Sequence, residues 1–141
     1  MENKLKSIIV SGSAAGLLLV IGEGILNAIL LKQEWFEMNQ QLSLSEPSQT
    51  IVALVLVKLF VLGFILMWLY EVMSHKYGRS NKAAIITGIF VGILIWGWVL
   101  AGLLMAGYVN NAIAIPTFIW GMVELPLVSL IGSKVSNKIA T

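Results

Sequence analysis

The sequence predicts an all-α membrane protein, an up-down four-helix transmembrane bundle with a short interfacial helix in the outer loop between the first two spans. Of its 141 residues, 58% are hydrophobic and only 11% are charged, which leaves too little polar surface to cover a soluble globule of this size. The apolar residues form four long runs, and most basic residues lie at the ends of those runs.

Each run is long enough to cross a hydrocarbon core, which takes about 20 helical residues. The first run follows Lys4 and Lys6 as in a signal peptide, but it is too long and lacks a cleavage pattern, so we expect it to be retained. We predict one transmembrane domain, residues 1–141, with four spans. They are Ile8–Leu31, Thr50–Met73, Ala83–Gly107 and Ala112–Ile131.

The basic residues of the connections predict the orientation. Seven lie on one side of the predicted membrane, whereas the other side carries only Lys32. The positive-inside rule then places both termini in the cytoplasm, in what we expect to be a bacterial inner membrane. Short connections make successive spans antiparallel neighbours. The seven residues are Lys4, Lys6, Lys76, Arg79, Lys82, Lys134 and Lys138.

The one long connection, Lys32–Gln49, predicts an additional short helix. Apolar residues recur there at helical spacing. The interpretation we favour is an amphipathic helix on the outer leaflet, and the alternative is a lid over the mouth of the bundle. The apolar residues are Leu31, Trp35, Met38 and Leu42.

Three ionisable residues lie inside the predicted spans, where each costs at least about 2.5 kcal/mol on insertion scales. Glu23 and Lys58 have the same predicted depth on neighbouring antiparallel spans, which makes an ion pair available, either as a structural clasp or as part of a functional site. Glu124 lies within about 3 Å of the midplane. We expect its carboxyl to be protonated or to share the charge of Lys58 with Glu23.

Other polar and aromatic groups fall near these residues. Asn27 lies one helical turn from Glu23, and Trp96 and Trp98 lie too deep for an aromatic belt, so their indole N–H groups need acceptors. They either form walls of a site or fill space against helices and lipid. The predicted ligand or proton site comprises Glu23, Asn27, Lys58, Trp96, Trp98 and Glu124.

Glycines at helical spacing predict where helices approach closely, because small residues let helix backbones come together. Proline within the fourth span frees backbone carbonyls, since it lacks the amide donor. The prolines are Pro116 and Pro126, and the predicted packing positions are Gly12, Gly16, Gly88, Gly92 and Gly121.

The composition excludes several chemistries. There is no cysteine and no aspartate, and His75 is the only histidine, so one chain cannot supply a thiol relay, an EF-hand or the usual zinc ligands. We expect no metal, no cofactor, no catalytic residue and no nucleic acid. Near the inner interface we expect Glu71 and His75 to be solvated, and Arg79 to act as a topology determinant.

Three short strings resemble a pattern in small bacterial four-span membrane proteins that are described as uncharacterised. They are Gly-Glu-Gly-Ile-Leu-Asn at Gly22–Asn27, Trp-Leu-Tyr at Trp68–Tyr70 and Tyr-Gly-Arg-Ser-Asn-Lys-Ala at Tyr77–Ala83. The resemblance runs from the first span to Glu124, and it implies a bacterial inner-membrane protein without implying an activity.

In outline the chain is also similar to the small multidrug resistance transporters, which have four spans and a glutamate in the first. It differs from them in an outer loop of 18 residues and a second glutamate inside the spans, so their binding residues are not transferred to it.

Two functions follow as hypotheses. The first is binding or transport of a small amphipathic or cationic ligand at the polar site, with protons as a coupling ion. The alternative is a non-transporting accessory or structural subunit whose glycine faces dock a larger membrane complex. Both hypotheses place the protein in the lipid bilayer, and both expect a partner, either further copies of the chain or another membrane protein. Under neither hypothesis is the protein an enzyme.

Overall fold

The computed structural model describes residues 2–140, with side chains for residues 3–139, and all regular structure in this range is helical. The predicted all-α class is confirmed. The helices are α1 (Glu2–Ile25), α2 (Lys32–Gln41), α3 (Gln49–Tyr77), α4 (Asn81–Gly92), α5 (Leu100–Met105) and α6 (Asn111–Ala140). A first π-helical segment, Leu26–Leu30, continues α1, and a second, Ile93–Val99, joins α4 to α5.

Four of the resulting helical stretches have the length and composition of a membrane span. They are Asn3–Leu30, Gln49–Tyr77, Asn81–Met105 and Asn111–Ile139.

Several helix ends differ from the predicted spans, and two of the differences have a local cause. The α6 helix continues well past Ile131, because the serines that follow on its inner face are buried against other helices and do not end it. The third stretch ends at Met105, and Gly107 has a φ of +77°. This backbone conformation suits glycine and terminates a right-handed helix.

The long helices pack as a ring of neighbours in which α1 contacts α3 and α6, and α4 contacts the same two helices. Glycines allow the closest approach between α1 and α3. A Cβ added at Gly12 would lie 2.6 Å from Cδ1 of Phe64, and one at Gly16 would lie 2.6 Å from the carbonyl oxygen of Phe60. A larger residue at either position would therefore push the two helices apart.

The contact between α4 and α6 is equally close. A Cβ at Gly88 would overlap the backbone of Pro126, and one at Gly92 would lie 3.0 Å from Sδ of Met122. The α4 helix thus crosses α6 at the proline that interrupts the hydrogen-bonding pattern of α6.

The two ends of the protein differ in chemistry. At the termini end, the start of α1, the α3–α4 turn and the last turns of α6 meet through polar side chains. At the loop end, α2 and the start of α6 surround an apolar cluster. The α2 helix lies where the sequence predicts one, and its apolar stripe faces the protein within that cluster. The stripe residues are Leu31, Trp35, Met38 and Leu42.

Candidate functional site

Two glutamates, one from α1 and one from α6, meet in the half of the protein nearer the loop end. Glu23 is 5% exposed and Glu124 is 9% exposed. Their carboxyl groups are close enough to share a hydrogen bond when one of them carries a proton. Oε1 of Glu23 and both oxygens of Glu124 are buried and accept no hydrogen bond from another described residue. Only Oε2 of Glu23 therefore has a well-aligned donor, and the other three oxygens have no donor in full hydrogen-bond geometry.

A glycine makes room for this pair. A Cβ at Gly22 would overlap Oε1 of Glu124, so the carboxyl lies directly against the α1 backbone. The next glycine, Gly24, faces open space. Sequence reasoning missed the role of Gly22, although the Gly-Glu-Gly string that surrounds Glu23 was the available signal.

The other oxygen of Glu23 is held by an amide. Nδ2 of Asn27, in the first π segment, donates to Oε2 of Glu23 at 2.9 Å and to the Glu23 carbonyl at 3.0 Å. Nε1 of Trp35, in α2, donates in turn to Oδ1 of Asn27 at 2.9 Å. A chain of hydrogen bonds thus connects the loop-end helix to the carboxyl pair. The sequence predicted Asn27 in this site and did not predict Trp35.

Indole rings lie along the same part of α6. Trp120 is next to the Glu124 carboxyl, and Trp96 packs directly over Gly121. Nε1 of Trp96 is buried without an acceptor among the described residues. Nε1 of Trp120 is close enough to Glu124 to act as a weak donor, although it does not reach full hydrogen-bond geometry. Trp98, by contrast, is 81% exposed. The structure therefore brings Trp96 next to the carboxyl region and leaves Trp98 outside it.

Lys58 does not join Glu23. It lies exposed on α3, and the only ion pair among the described residues is at the other end of the protein. Lys58 therefore does not form the expected ion pair with Glu23, although its charge still acts on that carboxyl from farther away. Equal depth does not bring two groups into contact. Gly63 of α3 packs against Gly16 of α1, and Lys58 precedes Gly63 by five positions, which places it about 140° around the helix from that contact.

A groove of about 270 Å³ between α1 and α6 leads to the carboxyl pair from the side of the protein. Gly22, Trp120 and Glu124 lie along it, and its other lining residues are aliphatic. The groove suits a largely apolar molecule, but both carboxyl oxygens of Glu124 are buried behind its lining, so direct contact with them requires a local movement of the side chains. The aliphatic lining residues are Leu18, Ile21, Val123, Leu127, Val128 and Ile131.

A second buried carboxyl lies at the termini end, in a different environment. Glu71 is 5% exposed. Its Oε2 pairs with Nη2 of Arg79 at 2.6 Å, and its Oε1 accepts from the hydroxyl of Ser136 at 2.6 Å and from that of Ser7 at 3.4 Å. Both carboxylate oxygens thus have partners from three separate parts of the chain.

The same cluster extends around Arg79 and α6. Nη1 of Arg79 donates to Oγ of Ser136 at 3.0 Å and to Oδ1 of Asn137 at 3.3 Å. The hydroxyl of Tyr70 donates to Oδ1 of Asn137 at 3.0 Å. The hydroxyls of Ser7 and Ser136 are 2.8 Å apart. This cluster joins α1, α3, the α3–α4 turn and α6.

These contacts correct the interpretation of Glu71 and His75. Glu71 is buried in the ion pair, and only His75 is exposed. Nδ1 of His75 lies 2.8 Å from the Glu71 carbonyl, and its Nε2 lies 3.4 Å from Nζ of Lys4. Arg79 provides the countercharge for Glu71, whatever it also contributes to topology. The signal that could have revealed this was a stripe of serines on α6: Ser129, Ser133 and Ser136.

Among the side chains that the structure describes, residues 3–139, no group of three or more histidines, cysteines or acidic residues could hold a metal ion. No protein-family model, no curated protein and no solved structure matches this chain. The site is therefore interpreted from its own geometry.

Proposed function

We propose that the chain is a multi-pass protein of a bacterial inner membrane, an up-down four-helix bundle with both termini in the cytoplasm. The basic residues outside the spans support this orientation, since they concentrate at the termini end and in the α3–α4 turn. The loop end carries Lys32 together with Glu34, Glu37 and Glu46. In this orientation α2 lies at the outer surface and covers the outer end of the bundle.

Within that bundle we propose that Glu23 and Glu124 bind a small amphipathic or lipophilic cation in exchange for a proton. One observation carries the proposal: two nearly fully buried carboxyl groups are in contact, and no cation among the described side chains lies within ion-pair distance of either. The charge of Lys58 acts on Glu23 only from farther away. Two carboxylates this close in a low-dielectric site cannot both be ionised without compensation. The pair therefore holds either a proton or a bound cation.

The surroundings favour a ligand that is mostly apolar. The groove between α1 and α6 has an aliphatic lining, and Trp120 and Glu124 lie along it. An indole face attracts organic cations, and a carboxylate neutralises them. Glu124 would make the direct charge contact, with Glu23 as the second carboxyl and Asn27 as the group that orients it. Trp96 and Trp120 would form walls, and Lys58 and Trp98 lie outside this binding site.

Exposure of the same site alternately to the two sides of the membrane would convert this exchange into proton-coupled transport. The hydrogen bonds from Trp35 through Asn27 to Glu23 support a role of α2 in controlling access from the outer side.

The accessory-subunit hypothesis loses its main support. It depends on glycine faces that are free to dock a partner, whereas Gly12 and Gly16 pack against α3 and Gly88 and Gly92 pack against α6. No other observation favours it.

The test is binding of tetraphenylphosphonium, a lipophilic cation, to the purified protein in lipid nanodiscs. We expect saturable binding and release of a proton, measured by equilibrium dialysis and by a pH indicator in weakly buffered solution. Glu124→Gln should abolish proton release and weaken binding at least about tenfold, the ratio that corresponds to 1.4 kcal/mol. Glu46→Gln, which changes an exposed glutamate in the loop before α3, is the matched control.

Infrared difference spectra provide a second measurement. Binding of the cation should reduce a protonated-carboxyl band that is missing in Glu124→Gln or Glu23→Gln. Unchanged binding and unchanged proton release in both variants would show that the carboxyl pair is not the site.

A further inference from the structure

A second groove, on another side of the protein, lies where α3 diverges from the helix formed by the second π segment and α5. The α3 helix packs against α4 but makes at most marginal contact with the second π segment and α5. The space between them has a volume of about 520 Å³, within the range of small-molecule pockets, roughly 300–1,000 Å³. None of the residues in the second π segment is buried.

The walls of this groove are apolar with one exception. Leu59, Leu62 and Ile65 line it from α3, and Val99 and Leu103 line it from the opposite helix. The one charged residue along it is Lys58. A groove of this composition is complementary to an aliphatic chain that carries a single negative charge.

Lys58 has no partner within ion-pair distance. It is exposed, and the one ion pair among the side chains described, those of residues 3–139, joins Glu71 to Arg79. The charge of Lys58 acts on Glu23 only from farther away. Lys58 lies nine residues after the start of α3, about 13 Å along the helix axis. Its backbone is therefore inside the span. A charge at that depth is costly unless a partner is supplied, and lysines near the ends of spans extend toward the headgroups.

We propose that this groove binds an anionic phospholipid of the surrounding bilayer, with one acyl chain between α3 and the α5 side and the phosphate at Nζ of Lys58. The charge decides the occupant, because a zwitterionic lipid would fill the apolar walls equally well without neutralising Lys58. The two sites are separate grooves, since Glu124 lines the one between α1 and α6 and Lys58 lines the one between α3 and the α5 side. Trp96 lies near both regions, and the charge of Lys58 also acts on Glu23.

The experiment compares phosphatidylglycerol with phosphatidylcholine of identical acyl chains, each titrated into the detergent-purified protein and detected by native mass spectrometry. We expect one tightly retained phosphatidylglycerol and a preference of about fivefold over phosphatidylcholine, the ratio that corresponds to roughly 1 kcal/mol for a single lysine–headgroup contact. Lys58→Gln should abolish the preference. Lys76→Gln, an exposed lysine near the end of the same helix, should retain it.

A second pair of variants tests the acyl-chain position independently of the charge. Val61→Trp adds bulk on the wall of the groove and should reduce retention of both lipids. Val72→Trp, an equally exposed valine on α3 outside the groove, should not. Equal retention of the two lipids by the wild-type protein would overturn the proposal, as would a preference that survives Lys58→Gln. A stable dimer whose interface excludes both lipids would also overturn it.

Discussion

The two buried carboxyl regions of this protein are built from the same residue type and solve the burial of charge in opposite ways. At the termini end, Glu71 has an arginine and two serine hydroxyls as partners. In the half nearer the loop end, Glu23 and Glu124 face each other, and three of their four oxygens have no donor in full hydrogen-bond geometry among the described residues. Exposure does not distinguish them, since all three side chains are at least nine-tenths buried.

This difference indicates at which of the two regions a bound ligand would stabilise the protein. A buried carboxylate that is fully paired contributes to holding helices in register, and a new cation could not improve its environment. A buried carboxyl pair without compensation has unused binding capacity, because a proton or a cation lowers its energy. We therefore infer a structural role for Glu71 and propose a ligand-binding role for Glu23 and Glu124.

The largest effect is expected from breaking the ion pair between Glu71 and Arg79. Arg79→Met should destabilise the protein by about 3 kcal/mol, because it leaves the Glu71 carboxylate buried without a countercharge. The value is at the low end for such pairs because the Arg79 side chain is 31% exposed. The measurement is the free energy of unfolding, from tryptophan fluorescence during titration with SDS in mixed micelles.

The double variant Glu71→Gln with Arg79→Met is the control for that prediction. A neutral carboxamide needs no countercharge, so the double variant should recover at least half of the lost stability. Equal instability of the single and double variants would mean that Arg79 stabilises the protein through packing and not through its charge.

An intermediate effect is expected at Gly22, where the α1 backbone packs against the Glu124 carboxyl. Gly22→Ala should destabilise the protein by about 2 kcal/mol, since its Cβ would overlap the Glu124 carboxyl, and it should abolish binding of tetraphenylphosphonium. Gly24→Ala, two residues away and facing open space, should be neutral or stabilising by up to about 1 kcal/mol. The same unfolding titration measures both, and equal stability of the two variants would contradict the close contact at Gly22.

The smallest effect is expected from removing a single hydroxyl group. Two serines on α6, both fully buried, allow the comparison. Ser136→Ala removes hydrogen bonds to Glu71 and Arg79 and should cost about 1 kcal/mol. Ser129→Ala removes a buried hydroxyl that has no partner among the described residues, so it should be neutral or slightly stabilising. If both changes cost the same, as measured by thermal unfolding in detergent, hydrogen bonding would not distinguish the two regions.

Much of the site could be predicted from the sequence because charged and amide groups in apolar runs are conspicuous. Glu23, Asn27 and Glu124 were predicted as neighbours from depth and helical spacing, and the structure brings them together. Lys58 does not reach the ion-pair distance that was predicted, although its charge acts on Glu23, because depth along a helix does not determine the direction in which a side chain points. Arg79 and Glu71 were not predicted as a pair, since both stand at the end of a span where solvated charge is the ordinary expectation.

The amino-acid sequence by itself determined the all-helical class and the four stretches long enough to span a membrane, because hydrophobic length and helical period are local properties of the chain. Only the tertiary structure decided which carboxyls are compensated and which are not. That outcome depends on the rotation of each helix about its axis, which the close packing at Gly12, Gly16, Gly22 and Gly88 sets. Rotation decides whether a polar side chain meets a partner, a second carboxyl or the lipid.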